Sequence, residues 1–125
     1  MSPNNFTAKA YLMEGCPFSF KFLTFMSEAD LLDRIEIVRL NPRGPNFQAE
    51  KDKLGKKLGK AASFPVVEVE PDQYMADSDR LIDRYARQAG LNSDSLPVLS
   101  FYKETIFPKL IELHQIKHPK TAQSA

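Results

Sequence analysis

Cys16-Pro17 is the pair of residues in this chain with the clearest chemical potential. It follows Glu14-Gly15, a turn signal, and proline is favoured at the first position of a helix, where its missing N–H is not needed. Sulfur reacts as the thiolate, and a helix N-terminus stabilises a thiolate through its dipole and its unpaired backbone N–H groups. Ser19 falls where a second cysteine would complete a Cys-x-x-Cys redox pair. Its hydroxyl can donate a hydrogen bond to the sulfur but cannot resolve a mixed disulfide. The sequence holds one cysteine, so it forms neither an internal disulfide nor a multi-thiolate zinc site. Any thiol cycle therefore needs an external thiol. Without such neighbours, a lone cysteine reads as a small buried hydrophobe.

Two further segments carry candidate groups, each with a plainer reading beside it. Ser63-Phe64-Pro65 stands immediately before a strand. Proline enters a strand at its first residue, or through a cis bond in a tight turn. A cis bond would turn the carbonyl and N–H of Phe64 outward, where they can pair with an extended peptide. A trans proline that simply starts the strand fits the local sequence equally well. Asp77-Ser78 opens a helix, and helix N-termini bind carboxylates while an adjacent acid can receive an ammonium group. The plainer reading of Asp77-Ser78 is a helix cap.

The elements that must hold these groups follow from periodicity. Ala8 to Met13 reads as a strand, and Phe18, Phe22, Phe25, Met26 and Ala29 recur at helical spacing after Pro17. Arg34 to Leu40, with Ile35, Ile37 and Val38, is a second strand. Asn46 to Leu58 is a helix with Phe47, Leu54 and Leu58 inward, ended by Gly59. Val66 to Val69 and Tyr74 to Ala76 form a hairpin around Pro71-Asp72. Leu81, Ile82, Tyr85, Ala86 and Ala89 give a third helix, stopped by Gly90. The order β-α-β-α-β-β-α predicts an α/β fold, a mixed four-stranded sheet with helices on its faces, which is the thioredoxin-like arrangement. Ser95 to about Lys117 reads as one more helix, with Ser95 as cap, Leu99, Tyr102, Ile106, Leu110 and Leu113 on one face, and Pro108 as a kink. The predicted organisation is a flexible leader over 1–7, a thioredoxin-like unit over 8–90, a helical extension over 91–117 and a disordered tail over 118–125.

In combination the motifs resemble those of glutaredoxins and of the amino-terminal domain of glutathione transferases. Cys16-Pro17-Phe18-Ser19 is similar to the motif of omega-class transferases and chloride intracellular channels. Phe64-Pro65-Val66-Val67-Glu68 resembles the family's cis-proline segment, and Asp77-Ser78-Asp79-Arg80-Leu81-Ile82 its acid–serine motif for a γ-glutamyl group. The resemblance covers about Lys9 to Gly90. It implies that Cys16 attacks or faces the sulfur of glutathione, with Ser19 beside it as the second catalytic residue and Pro17 and Phe18 against the bound glutathione. Phe64, ahead of Pro65, would hold the cysteinyl backbone, and Asp77 with Ser78 the γ-glutamyl end. The implied activity is a monothiol, glutathione-dependent thiol–disulfide exchange on glutathionylated small molecules or proteins. Departures from the family are also plain. Met13 and Glu14 stand where glutaredoxins usually carry a lysine, and a carboxylate close to sulfur disfavours the thiolate. Pro17 stands where cluster-binding monothiol glutaredoxins have glycine. One helix follows the domain where transferases continue with a large helical domain.

Composition narrows the classes. A hydrophobic fraction of 42%, a charged fraction of 26% and a formal charge of +1 over 125 residues describe a single globular domain, with no excess of basic residues for nucleic acid. No apolar run reaches the roughly 20 residues a membrane helix needs. A polar start and one cysteine are the pattern of a cytoplasmic protein. His114 and His118 read as surface residues rather than metal ligands. The lysines from Lys51 to Lys60 form a solvated face, from which one, or Arg43, could meet a glycyl carboxylate. Two alternatives accompany the exchange reading: a non-catalytic binding module, and a minimal glutathione transferase completed as a homodimer through the extra helix.

Overall fold

The computed structural model describes residues 6–117, with side chains through residue 114. The predicted leader, apart from its last two residues, and the predicted tail lie outside this range. Along β1 (Ala8–Met13) the residues alternate between buried and half-buried, so Ala8, Ala10 and Leu12 share one face and Lys9, Tyr11 and Met13 the other. β1 pairs in parallel with β2 (Ile35–Leu40) and antiparallel with β3 (Val66–Glu70), which pairs antiparallel with β4 (Gln73–Ala76). The sheet order is β2-β1-β3-β4, the mixed four-stranded sheet that the element order predicts. Arg34 belongs to a short 3-10 turn, Leu32–Arg34, rather than to the second strand.

Helices cover both faces. α1 (Pro17–Glu28) buries Phe22, Phe25 and Met26 completely, in one cluster with Ala10, Leu12, Val67 and the residues Leu81 and Tyr85 of α3 (Ser78–Ala89). Burial of that size contributes about 1.5–3 kcal/mol per large side chain. On the opposite face α2 (Phe47–Leu58) seats Leu54 among Leu40, Phe64 and Val66. α2 and α3 end at Gly59 and Gly90, both left-handed, as their position after the last apolar residue predicts.

The carboxy-terminal segment differs from expectation. The single helix predicted from Ser95 to Lys117 is broken into a 3-10 turn at Ser93–Ser95, α4 (Pro97–Phe101), a π-helical turn at Tyr102–Ile106 and α5 (Phe107–Lys117). Ser95 is not the cap: Asn92 caps the 3-10 turn, and Leu96 before Pro97 is extended (ψ 110°), as a residue preceding proline prefers. Pro108 has no N–H to return to residue 104, and the π-turn just before it closes through Phe107 N–H to the Tyr102 carbonyl instead. The wider turn shifts the apolar stripe by one residue. Leu99 and Tyr102 stay buried, but Ile106 and Leu113, predicted to face inward, are exposed, and Phe107 takes the inward place.

Candidate functional site

Cys16 lies between the end of β1 and the first residue of α1. Gly15 reaches φ +80°, a left-handed conformation suited to glycine, and the Cys16 N–H closes the turn on the Met13 carbonyl at 3.2 Å. Cys16 is the N-cap of α1, with an extended backbone and Pro17 following it in the first turn. Its sulfur accepts a hydrogen bond from the Ser19 N–H at 3.4 Å and donates to the Phe64 carbonyl at 3.8 Å. The thiol is buried, at the edge of the cluster formed with Leu40, Phe64 and Val66.

The neighbours of the sulfur are only partly those the sequence suggests. Ser19 reaches the sulfur through its main-chain N–H, whereas the expectation was a bond from its hydroxyl. That oxygen is buried and accepts from the Met13 N–H at 3.1 Å, which ties α1 to the end of β1. Phe64–Pro65 is a cis peptide bond, one of the two isomers open at the sequence level. The Phe64 ring packs on Phe47 with centroids 5.8 Å apart. Glu14 is paired with Arg39 at 3.1 Å on the surface. Phe18 is half-buried against the Phe107 ring, edge to face at 5.1 Å, and the Pro17 carbonyl accepts from the Tyr102 hydroxyl at 2.7 Å.

Asp77 and Ser78 are brought beside Phe64-Pro65 by the sheet. Val66 pairs with Ala76, so the residues just outside that pair, Pro65 and Asp77, lie at the same end of the ladder. Asp77 has φ 86°, and its Oδ1 accepts from the N–H groups of Asp79 at 3.0 Å and Arg80 at 3.4 Å. The helix-cap reading of Asp77 thus holds. Ser78 is buried at 4% exposure while Asp77 is exposed. Of the basic residues considered for a glycyl carboxylate, Lys57 is paired with Asp72 at 3.0 Å and Arg43 is exposed. His114 is exposed on α5, and His118 lies outside the described residues.

Beside Cys16, on the side of β2, a groove of about 590 Å³ opens between α1 and the sheet edge. Leu12, Phe20, Leu23 and Ile37 make it mainly apolar, with Arg39 at its rim and Leu110 of α5 across it. Tyr102, bonded to Pro17 beside the Cys16 turn, carries a perturbed phenol. Burial, and then the negative charge Cys16 can carry, push its phenol up to about 12. It therefore stays a donor to the Pro17 carbonyl at neutral pH.

Sequence reasoning missed three groups on α1 or packed against it. Lys21 is 4% exposed, with Nζ 2.9 Å from Asp79 Oδ1. The signal was available: position 21 shares the inward stripe with Phe18 and Phe25 at i+3 and i+7 spacing. Glu28, at the other end of α1, accepts from the N–H groups of Val98 at 2.7 Å and Leu99 at 2.8 Å, and so caps α4. Tyr102 was assigned to the core face, and nothing local announces its bond to Pro17. Glu28 has no sequence signal at all, because its partners lie about 70 positions away.

Neither a family model nor a curated protein sequence matches the chain. Among solved structures, it is similar to a crystal structure described as a possible glutathione S-transferase from Rhodopseudomonas palustris. Identity is 18% and the TM-score 0.53, over 89% of this chain and 58% of that one. The chain thus spans little more than half the length of that neighbour. No helix among the described residues is long and apolar enough to cross a membrane. The likeness is one of fold: a thioredoxin-like α/β domain followed by a helical segment.

Proposed function

We propose that this chain is a glutathione-handling, one-thiol exchange protein. The observation that carries the reading is the sulfur of Cys16 at the start of α1, 3.4 Å from the Ser19 N–H and 3.8 Å from the Phe64 carbonyl. In the proposed cycle the Cys16 thiolate attacks the glutathione sulfur of a mixed disulfide. The substrate thiolate leaves, and Cys16 is held as its glutathione disulfide. A second glutathione thiolate then attacks the glutathione sulfur of that disulfide, forming glutathione disulfide and returning the Cys16 thiolate. Ser19 offers no thiol, so no internal resolving step competes. In this reading the Phe64 main chain pairs with the cysteinyl residue of glutathione, Ser78 receives the γ-glutamyl carboxylate, and Asp77 Oδ2 receives its ammonium group. Pro17 and Phe18 flank the sulfur. The unit that binds glutathione is residues 8–90, with 91–117 as its extension. Substrates are glutathionylated small molecules or proteins in the cytoplasm, with no nucleic acid or membrane involved.

Turnover of a small glutathione mixed disulfide by purified protein, coupled to glutathione reductase, tests the cycle. Wild type is expected to turn over, and Cys16→Ser to fall to background. Equal rates in the two proteins would sink the proposal. One observation favours a second reading. The apolar groove beside Cys16 could hold an electrophile next to a bound glutathione sulfur, as a minimal transferase would require. Conjugation of an apolar electrophile that survives Cys16→Ser, or disulfide exchange that does not, separates the two.

A further inference from the structure

We propose that Lys21 is a positioning residue that holds the Cys16 turn at a fixed distance from the start of α3; for its functional consequence the inference rests on the glutathione reading above. Lys21 lies in the second turn of α1, and its side chain is only 5% exposed. Its ammonium sits 4.5 Å from the centroid of Phe107 and 5.6 Å from that of Phe18, and 2.9 Å from Asp79 Oδ1. Asp79 is the second residue of α3 and is 73% exposed at its side chain. Its own N–H donates to the Asp77 carboxylate at 3.0 Å. A continuous path therefore runs from the first turn of α1 through Lys21 and Asp79 to Asp77, the two ends of the candidate glutathione site.

The energetics give the arrangement its meaning. Taking an ammonium out of water is costly, and a hydrophobic side chain in place of a buried ion pair commonly leaves stability unchanged or raised. A methionine at this position would suit the inward stripe of α1 with Phe18, Phe22 and Phe25. What the lysine supplies and an apolar residue does not is direction, a charge-assisted bond aimed at one carboxylate on another helix. Among the described residues it is the only ion pair that joins α1 to α3. Phe107 covers the ammonium from α5, so the carboxy-terminal segment keeps water from competing for it. Because α1 is a rigid helix, fixing position 21 fixes the turn that carries the sulfur.

Two readouts test this with Lys21→Met, Asp79→Asn, their double variant and Lys21→Arg. Alkylation of Cys16 by iodoacetamide at fixed pH reports how tightly the buried thiol is held. Both single substitutions are expected to accelerate it by about fivefold, the double variant no further, and Lys21→Arg to stay within about twofold of wild type. In the exchange assay the first two should raise KM for the glutathione mixed disulfide by about tenfold while kcat changes by less than about twofold. Unchanged alkylation in both single variants, or effects that simply add in the double variant, would overturn the proposal. Asp79→Asn, at an exposed carboxylate, carries the comparison where Lys21→Met does not fold. A wild type without glutathione turnover defeats the functional reading alone, since the alkylation series still decides the role of Lys21. Faster alkylation with an unchanged KM would confine Lys21 to holding the thiol and remove its link to glutathione.

Discussion

Replacing Glu28 by alanine removes both acceptors that start α4, the carboxylate oxygens 2.7 Å from the Val98 N–H and 2.8 Å from the Leu99 N–H. No side chain of Leu96 caps that helix, and Pro97 has no N–H to lose, so these two donors depend on Glu28. A hydrogen bond to a charged group is worth about 1.5–3 kcal/mol when its partner is left buried, and far less when water can replace it. Val98 is 59% exposed, so water takes over most of its bond, whereas Leu99 is fully buried. The net loss is about 2 kcal/mol, most of it from Leu99. For a domain of this size that lowers Tm by roughly 6–10 °C. Glu28→Gln keeps one acceptor without the charge and should fall between the two. Thermal melting followed by far-ultraviolet circular dichroism measures the shift, and amide exchange at Leu99 and Tyr102 shows whether the carboxy-terminal segment opens first. A Tm for Glu28→Ala within about 1 °C of wild type would refute the reasoning, because apolar contacts alone would then be holding α4 against α1.

Substitutions at two further positions follow from the same geometry. Tyr102→Phe leaves the Pro17 carbonyl without its donor at 2.7 Å and is expected to cost about 1 kcal/mol at neutral pH, read from a urea midpoint. It also removes a pH dependence. The phenol is raised from 10.0 to about 12 in the folded state, so its contribution is complete below about pH 10 and is lost as pH rises towards about 12. The wild type should therefore weaken over that window more than Tyr102→Phe does, and parallel losses would contradict the burial argument. At Asp77, alanine loses the cap to Asp79 and Arg80 and keeps the unfavourable φ of 86°, whereas glycine loses the cap but relieves the backbone. Asp77→Ala should cost about 2 kcal/mol and Asp77→Gly about half of that, so the reverse order would show that strain plays no part.

Most of the domain from β1 to α3 was legible because its signals are local. Alternation in Ala8–Met13, Pro17 at a helix start and glycines at 59 and 90 act within a few residues of themselves, and element bounds came within one or two residues. The carboxy-terminal segment was not legible in the same way. Spacing placed Ile106 and Leu113 inward, but Pro108 and a π-turn shift the stripe so that Phe107 replaces Ile106. Periodicity counts residues, and a single wide turn changes the count. The candidate site divides similarly. Cys16, Phe64 and Asp77 were visible as types at spacings, while Glu28, Lys21 and Tyr102 acquire their roles from partners 58 to 85 positions distant.

Both ends of the candidate glutathione site are helix starts, and in each the capping atom already has a partner. At α1 the sulfur of Cys16 takes the Ser19 N–H; at α3 Asp77 Oδ1 takes those of Asp79 and Arg80. A helix start offers only its first few N–H groups. In the proposed reading, a carboxylate arriving at α3 would therefore meet the Ser78 N–H first, with the other two engaged unless Asp77 yields. The cap and the ligand-binding readings of Asp77 are then one arrangement. By holding the N–H groups of Asp79 and Arg80, Asp77 would steer an incoming carboxylate towards Ser78, and by carrying a negative charge it would favour an ammonium group over a second anion. The γ-glutamyl end of glutathione carries both groups on one carbon. The motif that looked like an ordinary cap supports the functional reading because it is one.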